Sequence, residues 1–160
     1  RGTVDDNVWV NRDVLPASQF NNIDQLVSPA LKGKMAIRSL DAPHGGSLTL
    51  AGFLHSKGMP WINQLMVDQQ PQYIDNARLL TQNLINGKVA IAIGTDNPTL
   101  DQCMQAGGCK NLEPHKDAVA SGCMPDYEHL EKYSLQGMEQ GNAEMDAILT
   151  AYKKLTTGGR

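Results

Sequence analysis

The sequence is short of charge, and the charge it has favours neither sign strongly. Charged residues make up 19% of the 160 residues, and the formal net charge is −3. About a quarter is usual for a soluble domain. Without a basic excess, the broad positive field that holds nucleic acid is absent, and no nucleic-acid partner is expected. No run of roughly eighteen apolar residues occurs, so the sequence offers no membrane-spanning helix. No signal peptide stands at the start. The chain begins at Arg1 and not at Met, and a processed or trimmed amino terminus is expected. His44, His55, His115 and His129 form no H-x-x-x-H pair, and no recognised Ser-His-Asp or Cys-His motif is present. Long repeats and low-complexity tracts are also missing. The three cysteines, Cys103, Cys109 and Cys123, lack the C-x-x-C spacing of zinc ribbons and redox sites. Neither a metal nor a cofactor is expected.

What is present suits one domain, residues 1–160. Hydrophobic residues make up 41%, enough for a single core and too little for two of ordinary size. Val8-Trp9-Val10 reads as a strand, as do Lys34 to Ile37 and the continuous apolar run Val89 to Ile93. Such a run fits a strand covered on both faces. Between them lie helical patterns. Residues 22–27 suit a short helix closed before Pro29, and residues 29–34 a turn. From Ser47, a natural N-cap, apolar residues recur at helical spacing until Gly58 and Pro60. A further helix runs through Trp61, Leu65 and Met66. Residues 73–86 carry the clearest stripe, with Ile74, Ala77, Leu80, Leu84 and Ile85 at threes and fours and Asn86-Gly87 as the stop. Asn97 as N-cap and Pro98 at the first helical position open another helix, which ends at Gly107-Gly108. After Cys109 the pattern weakens, and residues 142–155 form a last helix. Strands alternating with helices imply a layered α/β domain.

Trp9-Val10-Asn11 with Asp13, the stretch from Asp24 to Ile37 and the stretch from Asn86 to Ile93, in this order, resemble the second lobe of extracellular solute-binding proteins of ABC importers, family 1 type. Trp9-Val10-Asn11 with Asp13 is similar to the strand that enters that lobe. Asp24-Gln25-Leu26-Val27-Ser28-Pro29-Ala30-Leu31-Lys32-Gly33-Lys34-Met35-Ala36-Ile37 is similar to its "D-L-x-x-P-x-x-K-G-K" segment. Asn86-Gly87-Lys88-Val89-Ala90-Ile91-Ala92-Ile93 is similar to its later "x-G-x-x-A-I" strand. The resemblance covers residues 7 to about 112. Residues 113–160, an irregular segment and a terminal helix, do not match clearly, and the family's first lobe is not recognisable. The resemblance implies a three-layer α/β/α lobe of a type II periplasmic-binding-protein-like fold, with a mixed, mostly parallel sheet. It also implies solute capture in the periplasm or outside the cell, without enzymatic activity, and delivery to a permease by the full-length protein. Ferric iron is not favoured, because the family's iron-binding branch uses adjacent tyrosines, whereas Tyr73, Tyr127, Tyr133 and Tyr152 are isolated.

Two loops could carry a ligand. One enters a helix at Gly45-Gly46-Ser47, with Thr49 beyond. The first amides of a helix have no intrahelical acceptor, the dipole makes that end positive, and glycines allow close approach. An anion would fit there. The other is Thr95-Asp96-Asn97, again between strand and helix. Open α/β sheets bind ligands beyond the carboxyl ends of their strands. Read without a ligand, both are simply capped helix starts; the resemblance implies that they bind a small polar or anionic solute. His44 lies in the first loop within reach of such a ligand.

One disulfide is expected, as in exported proteins, with one thiol left over. Gly107-Gly108 can fold the chain back and bring Cys103 and Cys109 within the bridging distance of about 5.5 Å between Cα atoms. Cys109–Cys123 is the alternative pairing, and three reduced cysteines acting as small hydrophobes are another. Two other functions fit the same residues. One is an α/β enzyme with a cysteine nucleophile. The other is a lone domain that dimerises through the surface a missing lobe would cover.

Overall fold

The computed structural model describes residues 8–41, 44–114 and 135–157. Short apolar runs supply the sheet: β1 (Val8–Asn11), β2 (Met35–Arg38), β3 (Gln72–Ile74), β4 (Ile91–Ile93) and β5 (Leu112–Pro114). Their order is β3-β2-β4-β1-β5. β2 pairs in parallel with β3 and with β4, while β1 is antiparallel to both β4 and β5. Four strands therefore run one way, and β1 alone runs the other. The helices are α1 (Gly45–Lys57), α2 (Met59–Asn63), α3 (Ala77–Ile85), α4 (Asn97–Gln105) and α5 (Leu135–Thr157). Among the described residues none is long and apolar enough to cross a membrane.

Side chains alternate across a strand, so a run that is apolar at every position feeds two cores. Val8, Val10, Met35, Ile37, Ile91 and Ile93 pack on one side with Leu50, Phe53, Ile62 and Leu65 of the α1–α2 region and with Ile148 and Tyr152 of α5. Ala36 and Ala92 face the other side, with Leu80 and Leu84 of α3, Leu100 of α4 and Leu112 of β5. Trp9 packs against this second core. The result is the expected three-layer α/β/α arrangement with a mixed, mostly parallel sheet. Helix α5 lies on α1, and a His55–Glu144 hydrogen bond of 2.9 Å joins them. Farther along, Tyr152 meets Tyr73 edge-on, with ring centroids 5.0 Å apart.

Several boundaries differ from the sequence reading. The stripe over residues 73–86 divides: Tyr73 and Ile74 belong to β3, and the helix begins only at Ala77. Asn76 causes the division. Its side chain accepts a hydrogen bond from the Leu79 amide at 3.1 Å, which caps α3, and the chain before it pairs with β2. β5 emerges from the weak region after Cys109, at a sheet edge where Pro114 costs no ladder bond that the sheet needs. The last helix starts earlier than residue 142, and Gln64–Asp68 continues α2 as a wider turn. Residues 22–31 make two short 3-10 turns in place of one short helix and a simple turn.

Cys103 on α4 is bonded to Cys109, with Cα atoms 5.8 Å apart. Gly107, at φ +84°, turns the chain back between them. Cys123 lies outside the described residues. Protein made under oxidising conditions should show one internal disulfide by mass spectrometry, and peptide mapping should join Cys103 to Cys109. Cys103→Ser should lower stability by about 2 kcal/mol, the loop-closure value for so short a bridge, read as a lower urea midpoint. Three freely alkylated thiols would contradict the pairing.

Candidate ligand-binding site

β2 and β4 are parallel neighbours, with Ile37 beside Ile93. The chain leaving β2 enters α1, which packs on one face; the chain leaving β4 enters α4, which packs on the other. Adjacent strands whose helices depart to opposite faces open a crevice at their carboxyl ends. The two loops named from sequence meet there. A Cβ on Gly46 would stand 3.1 Å from the Gly94 Cα. On Gly94, which adopts φ +93°, a Cβ would stand 2.8 Å from the Arg38 Cβ and 3.5 Å from the Gly46 Cα. The backbones touch because neither residue has a side chain.

The cap of α1 is His44, not Ser47. The His44 Nδ1 accepts from the Gly46 amide at 2.9 Å, and Nε2 lies 3.0 Å from the Ser39 carbonyl. A carbonyl only accepts, so Nε2 carries the proton and the ring is neutral. Ser47 closes the turn: its hydroxyl accepts from the His44 amide and donates to the His44 carbonyl, each at 2.8 Å. Burial pushes the His44 pKa below its ordinary value; the Ser39 carbonyl opposes this, and the Arg38 charge adds to it. Asp96 caps α4. Its carboxylate accepts from both the amide and the hydroxyl of Thr99. The Asp96 amide donates to the Thr81 hydroxyl at 2.8 Å, which in turn donates to the Ala77 carbonyl on α3.

Of the seven residues named from sequence, Gly46 lies against Gly94, which directly precedes Thr95 and Asp96 in the chain, and Gly45 begins α1. Ser47 and Thr49 are fully buried in α1, and Ser47 is committed to the cap. Asn97 begins α4 and is exposed. The Thr95 hydroxyl is buried with no hydrogen-bond partner among the described residues. Leaving such a group unsatisfied costs about 1–3 kcal/mol. Arg38 is not among the residues named from sequence. It is the last residue of β2, half-buried, beside Gly94 and close enough to His44 to bias its ring. The available signal was a cation closing an otherwise apolar strand directly before a glycine-bearing loop.

No protein-family model matches the chain, and no curated protein does. A solved structure of a two-component system protein described as mediating signal transduction resembles it in fold, with a TM-score of 0.55 and 14% identity. That match covers 67% of this chain and 35% of the other, so the chain spans about a third of its length. At that identity the likeness concerns the fold alone.

Two outcomes follow from this geometry. Gly94→Ala should cost about 1–3 kcal/mol, because it forces a side chain into a left-handed conformation against Arg38; thermal unfolding reads the loss. His44 gives a pH dependence with a definite sign. Its folded pKa lies below the ordinary 6.5, so the unfolded chain takes up the proton first as pH falls. The His44 contribution is full above about pH 6.5 and is lost as pH falls through the lower folded value. His44→Asn keeps a capping side chain without a titrating ring. The stability difference between wild type and this variant should shrink from about pH 8 to about pH 5. A constant difference would show that folding does not lower the His44 pKa.

Proposed function

We propose that this chain is one lobe of an extracellular solute-binding protein of an ABC importer, and that it forms one wall of the ligand cleft. The observation that carries this reading is the crevice between β2 and β4, where two helix starts and the touching backbones of Gly46 and Gly94 converge. The three stretches that resemble the family also support it. They contribute β1, β2 and β4, three contiguous strands at the centre of the sheet. β1 runs against its neighbours, as suits a strand that enters the lobe from elsewhere. The Cys103–Cys109 bond fits a periplasmic or extracellular location. The same bond removes both thiols as candidate nucleophiles, which weighs against the cysteine-enzyme alternative.

The solute would be small and polar or anionic, and the full-length protein would present it to the permease. One wall buries only part of a ligand, so this chain alone should bind weakly, with a Kd on the order of 1 mM. The test follows backbone amide shifts while the chain is titrated with sugars, amino acids, polyamines and oxyanions. Binding should concentrate shifts at Gly46, Gly94 and Thr95, and Gly46→Val should abolish them by displacing the His44 ring and the Gly94 backbone that shape the crevice. Shifts that map elsewhere, or a Gly46→Val variant that binds as wild type does, would overturn the reading.

A further inference from the structure

The two helix starts at the crevice are capped in opposite electrical senses. α4 is capped by the Asp96 carboxylate, which sets a negative charge against the positive helix end. α1 is capped by a neutral imidazole, which leaves its positive end uncompensated. Arg38 stands on the same side. Its Cβ lies against Gly94, its charge reaches His44, and among the described residues it has no carboxylate partner. Asp96 does not serve as that partner; its bound oxygen is held by Thr99. Half-buried Arg38 thus adds positive charge on the side of the crevice where α1 starts, with no counter-ion among the described residues. Next to Gly94 in the chain, the Thr95 hydroxyl is more than nine-tenths buried and unpartnered among the described residues.

We infer that Arg38 is the specificity-determining residue of this site, and that the site takes a small solute bearing an oxyanion, a carboxylate or a phosphate-type group. The inference rests on the solute-capture reading and narrows it. The guanidinium offers a planar fork of donors that matches two oxygens of such a group. The first turn of α1 adds backbone amides and the favourable end of its dipole. Thr95 supplies a hydroxyl whose missing partner a bound oxygen would provide. Neutral sugars would leave the arginine unpaired, and cationic solutes would be repelled by it.

The test titrates the whole chain with inorganic phosphate and with acetate at constant ionic strength, with glucose as the neutral control, and follows backbone amide shifts. Saturable shifts at Gly46, Gly94 and Thr95 are expected with the oxyanions. Arg38→Gln should weaken them about tenfold or more, as expected for loss of a charged hydrogen-bond donor. Arg38→Lys, which keeps the charge without the fork, should fall between. If Arg38→Gln does not fold, wild type and Arg38→Lys decide: equal oxyanion affinity in the two would overturn the role of the fork. Arg38→Gln binding as wild type does, or oxyanion shifts that map elsewhere, would also overturn the inference. Glucose shifting these amides while the oxyanions do not would reject the oxyanion and leave solute capture standing. If none of the three probes, and no solute of the wider panel, shifts these amides, both readings fall.

Discussion

β2 and β4 lie side by side in parallel, and the chain leaves them in opposite directions. That constraint places the start of α1 against the start of α4, and it leaves no room for a side chain where they cross. Gly94 has to adopt a backbone conformation that other residues rarely enter, and Gly46 has to present a bare backbone to it. The His44 ring then occupies the gap beside them, bridging the Ser39 carbonyl to the Gly46 amide. A substitution at either glycine would disturb the carboxyl end of β4, the cap and the crevice together, because all three share the same few ångströms.

The two cores keep this arrangement rigid from both sides. Burial of a side chain such as Leu, Ile or Phe contributes about 1.5–3 kcal/mol, and the first core, with 21 buried residues, joins the strands to α1, α2 and α5. α1 therefore cannot rotate to relieve the crowding at its start. On the opposite face α4 is held in two ways. Leu100 packs into the second core, and the Asp96 amide is tied through Thr81 to α3. The Cys103–Cys109 bond closes the far end of α4. The crevice thus sits on elements whose positions are set by packing elsewhere, which is what a preorganised site requires.

The centre of this fold was legible in the sequence, and its edges were not. Val8 to Val10, Met35 to Ile37 and Ile91 to Ile93 are strongly apolar runs, and burial on both faces leaves them little alternative to a central strand. β3 and β5 have three residues each and owe their conformation to the strands beside them. Ile74 fits a helical stripe with Ala77, Leu80 and Leu84; only the capping side chain of Asn76 separates them. At the site, the glycines and the residues around Asp96 could be found because turns and caps have strong residue preferences. His44 is a rare capping residue, so Ser47 drew attention first. Arg38 acquires meaning only beside Gly94, a contact that local patterning does not encode.

Arg38 and Thr95 each break a rule that most of the described chain obeys, the buried and unpartnered Trp61 indole nitrogen being another exception. A cation near a helix amino terminus is unfavourable by about 0.3–1 kcal/mol, and a buried hydroxyl without a partner by about 1–3 kcal/mol. Elsewhere the described ionic groups follow the usual logic: Arg12 meets Glu113, and Lys57 meets Asp24. α4 shows that the chain can place a carboxylate at a helix start, since Asp96 does so within the same crevice. The different choice at α1 is therefore not forced by the fold. A neutral cap beside an arginine leaves positive potential uncompensated where the backbones of Gly46 and Gly94 meet. Local penalties that packing does not require tend to gather where a ligand completes the structure. The two at this crevice would be relieved by the same event, an oxygen-rich anion settling between Arg38 and the first turn of α1.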